Sequence, residues 1–508
     1  MSKTPRPSSA TLSRRTLVDI LRWRAEHQPD RIAYTFLLDG ETREDHLTFR
    51  ELDRRARAIA ARLQSLGAAG ERALLLFPPG LDYVAAFFGC LYAGTIAVPA
   101  YPPPPNKPMP RIQAIVSDAQ ARFALATAQM FASVRLRLAQ HPDLAVLQWL
   151  ATDDLADPDP DAWRRPKITS ETLAFLQYTS GSTAVPKGVM VSHGNIMHNE
   201  RVIEALCHHT DASDIVCWLP MYHDMGLIGN VLQALYLGSR CVLMSPVAFL
   251  QKPVRWLQAV SRYRAHTSGG PNFAFDLCAS KITPEQAADL DLSHWKVAFS
   301  GAEPIHPATL QRFGDAFAPY GLRPEALYPC YGLAEATLMV CGGQPDSLPV
   351  VRSFQRAALA HHRVVAADAA SDGSEAQALV SSGRTALEQR VTIVDPDTLV
   401  PCPPGQVGEI WISGRSVARG YWQRPEQTAE TFRARLAEFP DATFLRTGDL
   451  GFLDEGELFI TGRLKDLIII RGTNYYPQDI ELTAEQSHAS LRPGASAAFS
   501  IEVADEER

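Results

Sequence analysis

Between Tyr178 and Val189 the chain reads Tyr-Thr-Ser-Gly-Ser-Thr-Ala-Val-Pro-Lys-Gly-Val. Thr179, Ser180, Ser182 and Thr183 offer hydroxyls, Gly181 a backbone without a side chain, and Lys187 a cation. Hydroxyls and bare N–H groups can close on phosphate oxygens while an ammonium supplies the counter-charge. The apolar run Thr172–Gln177 reads as a buried strand, so these groups fall on the loop that leaves it. The spacing is not that of a Walker loop. Five residues separate Gly181 from Lys187, proline precedes the lysine and glycine follows it. The same composition also makes an ordinary flexible turn, and taken alone the stretch leaves both readings open.

Other short apolar runs end in similar polar turns. Val216–Gly229 reads as a strand, a proline-marked turn and a helix start, with His223 and Asp224 at the turn. A lone histidine is more often structural than catalytic, and Asp224 also suits a helix cap. Ser268-Gly-Gly-Pro-Asn-Phe-Ala-Phe275, Ser300-Gly-Ala-Glu-Pro304 and Tyr331-Gly-Leu-Ala-Glu335 follow the same plan. In open α/β sheets the ligand crevice lies beyond the carboxyl ends of the strands, where such turns meet.

The elements that must carry these turns alternate. Leu17–Glu26 and Leu47–Leu66 read as amphipathic helices, the second with Thr48 as N-cap and Gly67 at its end. Arg72–Phe77 is a short strand, Met109–Leu138 reads helix–strand–helix, and Asp153–Lys167 is a connector into the strand before the loop. The pattern predicts a layered α/β domain with a largely parallel sheet. Six prolines among the ten residues Tyr101–Pro110 demand an extended loop. Beyond Glu409–Ser413 the texture becomes short and turn-rich, as in a small β subdomain, and a domain boundary is expected near Gly462–Asp466.

Length and composition bound the rest. A chain of 508 residues exceeds one ordinary core. Its formal net charge of -7 argues against nucleic acid as the main partner. Eight scattered cysteines, none in a Cys-x-x-Cys pair, suggest neither a zinc site nor a disulfide framework and fit reduced thiols in a cytoplasmic protein. Met1–Arg15 lacks the apolar core of a secretory signal and reads as a frayed arm. Tyr83–Val98 is the most apolar stretch; at 16 residues it falls short of a membrane span, and no stable membrane insertion is expected.

Taken together, Tyr178–Gly188, Trp218–Gly229, Ser300–Pro304, Tyr331–Glu335, Arg446–Asp449 and Gly462–Gly472 resemble, in order, the motifs of the adenylate-forming enzymes: acyl-CoA synthetases, luciferases and peptide-synthetase adenylation domains. The resemblance covers essentially the whole chain. Within that group the chain most resembles the fatty acyl-AMP ligases, through Phe77–Tyr83, Trp218–Gly229 and Gly472–Glu481. Tyr331 and Gly408 stand 77 positions apart, and Asp346–Ser381 resembles the insertion that distinguishes these ligases. A neutral surface loop fits the same segment on composition alone.

The resemblance implies a large N-terminal adenylation domain over 1–462, with the 346–381 insertion, a hinge at 463–466 and the start of a small C-terminal α+β domain over 467–508. It implies that a carboxylate joins the α-phosphate of ATP, giving acyl-AMP and pyrophosphate. Two like unit charges about 4 Å apart at an effective dielectric near 20 repel by roughly 4 kcal/mol, so positive charge and positioning must be supplied. By motif, Thr179, Ser180, Gly181, Ser182 and Thr183 would cradle the β- and γ-phosphates and Lys187 would neutralise them. Glu335, with Thr179, would hold Mg²⁺. Tyr331 and Gly332 would lie against adenine, with Gly301, Ala302 and Glu303 on its other side. Asp449 would accept hydrogen bonds from both ribose hydroxyls, Arg463 would reach ribose or phosphate from the hinge, and His223 would orient the reacting carboxylate. Trp218, Met225, Phe273 and Phe275, with His223, are candidates for lining an apolar acyl tunnel.

The implied function is ATP-dependent activation of a medium- to long-chain fatty acid, then transfer to the phosphopantetheine thiol of an acyl carrier protein, as in polyketide or lipopeptide assembly. A fatty acyl-CoA ligase is the alternative within enzymes. A non-catalytic acyl-nucleotide or carrier-protein binding module is the alternative outside them. Relatives place a catalytic lysine in the C-terminal domain, and Arg508 lies only 42 positions past Asp466. The chain is expected to be either truncated, the favoured reading, or naturally incomplete, and to bind ATP and acyl-AMP but adenylate poorly.

Overall fold

A computed structural model describes residues 16–102, 109–135, 142–155, 159–178, 186–367, 375–470, 473–488, 490–491, 495–499, 502–503 and 506–507. The expected N-terminal arm, most of the proline-rich loop and the hydroxyl-bearing residues 179–185 lie outside that set. The chain divides into two compact units. The first comprises Met1–Thr267, Ala334–Leu338 and Arg415–Ala429; the second comprises Ser268–Leu333, Met339–Gly414 and Glu430–Arg508.

In the first unit six strands form one sheet in the order Gln148–Ala151, Phe123–Ala126, Arg72–Leu75, Ile96–Pro99, Leu173–Tyr178 and Gly188–Ser192. All neighbours are parallel except the last pair. Its central strands are buried along nearly their whole length, because a parallel sheet is covered on both faces. That is why they read as unbroken apolar runs. The apolar stretch from Tyr83 resolves into helix Leu81–Ala93, buried at every position but Asp82, and strand Ile96–Pro99. Gly94, at φ +72°, closes the helix in the left-handed conformation that glycine adopts without strain. Among the described residues no helix is long and apolar enough to cross a membrane.

A second set of strands in this unit runs Ile215–Cys217, Cys241–Met244, Ile32–Leu37 and Glu44–Thr48, parallel but for the last. Leu47 and Thr48 belong to that edge strand, so the helix expected from Leu47 begins at Phe49. Thr48 caps it as the pattern predicts: Glu51 N–H donates to its hydroxyl at 3.2 Å and its own N–H donates to Glu51 Oε2 at 2.8 Å.

In the second unit Val297–Ser300 pairs in parallel with Leu327–Gly332, which continues antiparallel to Met339–Gly342. Helices Asn272–Lys281 and Pro307–Phe317 meet through the rings of Phe275 and Phe313, 4.9 Å apart. The turn-rich β region is a four-stranded antiparallel sheet of Arg390–Val394, Gly408–Ser413, Leu445–Asp454 and Glu457–Arg463. It starts one strand earlier than the change of texture at Glu409 suggests. Strands Val351–Gln355 and Ala376–Val380 form a separate antiparallel pair.

Candidate active site

Residues 179–183, the expected phosphate cradle, fall outside the described residues, but both flanks of that loop are defined. Tyr178 and Gly188 are opposite partners on antiparallel strands. The Tyr178 hydroxyl donates to Asp118 Oδ2 at 2.7 Å, and the Arg424 guanidinium binds the other oxygen of the same carboxylate. A Cβ on Gly188 would come within 2.9 Å of the Tyr178 ring, so glycine is needed where the chain re-enters the sheet.

Lys187, the residue before that strand, holds its Nζ 5.1 Å from the centroid of the Tyr421 ring. The Tyr421 hydroxyl donates to Glu335 Oε1 at 2.8 Å. Burial, and next the Glu335 charge, push the Tyr421 phenol well above its ordinary pKa, so it stays a donor. Lysine, tyrosine and carboxylate thus form one chain of contacts within the first unit.

Two distant segments supply Glu335 and Tyr421; buried polar side chains of helix His193–Leu206 hold the second of them, which in turn binds the first. Asn195 Nδ2 donates to the carbonyls of Arg415 and Val417, both at 2.9 Å. The Ser416 hydroxyl lies 2.7 Å from His198 Nδ1 and accepts from Asn199 Nδ2 at 3.1 Å. Thr337 Oγ1 donates to Ser416 O at 2.6 Å, and Ala418 N–H donates to Glu335 O at 2.9 Å. Polar side chains this deeply buried stay only where they are satisfied, and here the partners are two backbone carbonyls and the Ser416 hydroxyl of residues 415–417.

His223 stands exposed before the short helix Asp224–Gly226. Its Nδ1 lies 2.9 Å from Asp224 Oδ1, which also accepts from Met225 N–H at 2.7 Å. The Asp224 hydrogen bond raises the imidazole pKa above its ordinary value. Asp224 therefore both caps the turn and orients the histidine. The following residues, Leu227–Leu232, form a π-helix rather than the ordinary helix start that the sequence predicts.

In the second unit Asp449 and Arg463 are direct cross-strand partners. The Arg463 Nε donates to Asp449 Oδ1 at 3.0 Å and the Tyr331 hydroxyl donates to Oδ2 at 2.7 Å. Burial raises the Asp449 carboxyl pKa against the opposing pull of Arg463 and Tyr331. Glu409, buried on the neighbouring strand, holds the turn before it: its carboxylate binds Arg446, Trp411 Nε1 and Gly448 N–H. Gly301 and Cys330 lie side by side, so that a Cβ on Gly301 would meet the Cys330 carbonyl and sulfur at 3.0 Å. Ala302 is left-handed at φ +70°, and Gly332 ends the strand that carries Tyr331. Glu303 Oε1 accepts from Phe273 N–H at 2.7 Å, and burial raises its carboxyl pKa.

The four candidates for an acyl tunnel separate. Trp218 is core: its ring sits 4.1 Å from that of Phe249 and 5.9 Å from that of Trp256. Phe275 is core against Phe313 in the second unit. Met225 is half-buried and Phe273 is 41% exposed. Apolar type alone does not separate a ligand wall from an ordinary interior.

Among the described residues no group of three His, Cys, Asp or Glu side chains could hold a metal ion. A single carboxylate at Glu335 still fits Mg²⁺, which keeps several waters and binds through one or two carboxylates plus substrate phosphates. Sequence reasoning missed Tyr421, Glu409, Asp118 and the Ser416 clamp. Only the Arg419-Gly-Tyr421 turn carried a signal, a glycine beside an aromatic.

Residues 21–422 match the profile of the AMP-binding enzyme family. The chain belongs to that family, among its fatty acyl-AMP ligases. It is 47% identical to JamA, a medium-chain-fatty-acid–acyl-carrier-protein ligase of Moorena producens, over 97% of this chain and 84% of that protein. It is 40% identical to a long-chain-fatty-acid–AMP ligase of Mycolicibacterium smegmatis, over 94% of this chain and 79% of that one. The fatty acyl-adenylate ligase of L. pneumophila, solved with acyl adenylate and pyrophosphate, superposes with a TM-score of 0.86 at 45% identity, covering 98% of this chain and 86% of that one.

Proposed function

We propose that this enzyme activates a medium- to long-chain fatty acid with ATP and Mg²⁺, releasing pyrophosphate, and passes the acyl group to the phosphopantetheine thiol of a carrier protein in the cytoplasm. The observation that carries this reading is the Lys187–Tyr421–Glu335 chain at the foot of the phosphate loop. The activities of JamA and of the long-chain ligase support it.

In the first step a fatty carboxylate oxygen attacks the α-phosphorus of ATP. The acyl–phosphate bond forms, the α–β phosphoanhydride bond breaks, and no proton need move. Lys187, with the hydroxyls of Thr179, Ser180, Ser182 and Thr183, offsets the triphosphate charge. Glu335 would hold Mg²⁺, whose positive charge would offset the repulsion between the triphosphate and the incoming anion. His223, with Nδ1 engaged by Asp224, turns Nε2 to the carboxylate and orients it. Asp449 and Arg463 take the ribose, and Tyr331 and Gly332 face adenine across from Gly301 and Ala302. In the second step the carrier thiolate attacks the acyl carbonyl and AMP leaves.

Carrier protein rather than CoA is favoured by the packing of the 346–381 insertion. Phe354 joins Phe452, Phe459 and Tyr476 in one core cluster, and Leu379 packs on it alongside Leu464 and Leu467. Leu464 belongs to the proposed 463–466 hinge and Leu467 follows it, so the insertion is positioned to restrain the hinge movement that CoA use requires. The reading is tested by fatty-acid-dependent pyrophosphate release from ATP. Release that needs the acid and is lost in Lys187→Ala supports it; nucleotide binding without any release, from a polypeptide extended to carry the C-terminal lysine, marks a non-catalytic binding module instead.

A further inference from the structure

Tyr421 touches both charged groups assigned to the triphosphate and its cation, yet it belongs to neither motif. Its backbone is fixed from three sides. Trp422 N–H donates to Gly188 O at 2.8 Å and Met190 N–H to Gly420 O at 2.9 Å, which ribs this segment onto the strand that begins just after Lys187. Ala418 N–H donates to Glu335 O at 2.9 Å, which ties the backbone of Glu335 to the same segment. Tyr421 N–H donates to Thr428 Oγ1 at 3.0 Å. Gly420, at φ +132°, lets the chain pass so close to Thr428 that a Cβ there would sit 2.2 Å from its methyl.

A side chain held this firmly has two directional contacts to give. Its one hydroxyl proton is spent on Glu335 Oε1, which fixes the rotation of that carboxylate. Its ring face lies under the Lys187 ammonium, where the electron-rich face attracts a cation. We propose that Tyr421 is a positioning residue that sets Glu335 and Lys187 relative to one another, so that binding of the divalent cation and of the triphosphate are coupled through one side chain. The proposal rests on the reading of Glu335 and Lys187 as cation and phosphate ligands given above. A purely structural tyrosine would instead support both ligands equally.

Equilibrium binding of ATP by calorimetry, without fatty acid so that nothing turns over, separates these. The readout is the gain in ATP affinity on replacing EDTA by Mg²⁺. Y421F keeps the ring and its packing. It should cut that gain about three- to tenfold, the worth of one hydrogen bond partly replaced by water, and leave affinity in EDTA within about twofold. Y421L, which also removes the ring beneath Lys187, should weaken binding in EDTA as well. E335Q should abolish the gain. If Y421F retains the whole gain while E335Q loses it, Tyr421 is not the coupling residue and the site assignment stands. Equal losses by Y421F in EDTA and in Mg²⁺ reduce it to a scaffold and overturn the proposal. If E335Q keeps the gain, the assignment of Glu335 itself fails, and the proposal with it.

Discussion

Replacing Asp449 by alanine removes a carboxylate that is 7% exposed and already engaged by two protein donors, the Tyr331 hydroxyl at 2.7 Å and the Arg463 Nε at 3.0 Å. A carboxylate presents about four lone-pair sites, so two remain for a ribose diol without displacing either partner. Hydrogen bonds to a charged acceptor contribute about 1.5–3 kcal/mol each. Two at the lower bound give about 3 kcal/mol, or roughly 150-fold in the AMP dissociation constant. The lower bound is appropriate because the freed Arg463 side chain is 53% exposed and resolvates. Calorimetry with AMP and 2′-deoxy-AMP isolates the contact. The wild type should prefer AMP by about tenfold, one such bond, and Asp449→Ala should bind both nucleotides alike. A variant that loses less than about threefold, or that keeps the preference for ribose, refutes the assignment of Asp449 to the ribose.

Three further expectations follow from the packing. His193 is 1% exposed at the first position of its helix, and burial pushes its pKa from 6.5 down to about 4. The unfolded chain takes up that proton near pH 6.5 and the folded chain only near 4, so stability is complete above 6.5 and falls by about 3 kcal/mol through this window. Urea unfolding of His193→Gln between pH 7 and 4.5 should lose about one proton of this slope, and an unchanged slope contradicts the account. Ser416→Ala removes the buried hydroxyl that His198 and Asn199 both engage and should cost about 1–3 kcal/mol, with weakened ATP affinity because the segment carrying Tyr421 loosens. Unaltered melting and ATP binding would show that the clamp is idle. Phe354→Ala should destabilise the insertion's anchor by about 3–5 kcal/mol and permit some acyl-CoA formation; no thioester with CoA from a variant shown to be loosened by limited proteolysis counts against the restraint.

Much of the site's backbone was legible because its elements are locally encoded. Parallel strands covered on both faces read as apolar runs, and the turns that leave them read as glycine, proline and hydroxyl clusters. Thr48 and Gly67 mark helix ends for the same reason. What escaped depends on contacts distant in sequence. Tyr421 meets Glu335 across 86 positions, and Ser416 meets His198 across 218. Nothing local to Glu409 says that it will brace Gly448 from the next strand. Trp218 and Phe275 stay undecided from sequence because a buried aromatic has the same composition whether it lines a tunnel or fills a core. The helix start at Leu47 shifted because edge pairing with Ile32–Leu37 claims Leu47 and Thr48 first.

The most direct test supplies the full-length polypeptide with ATP, Mg²⁺, dodecanoate, excess CoA and a carrier protein bearing phosphopantetheine, and asks by mass spectrometry where the acyl group goes. The account predicts dodecanoyl-AMP followed by acylated carrier protein, with CoA left free. Dodecanoyl-CoA as the main product would contradict it and make the chain a fatty acyl-CoA ligase.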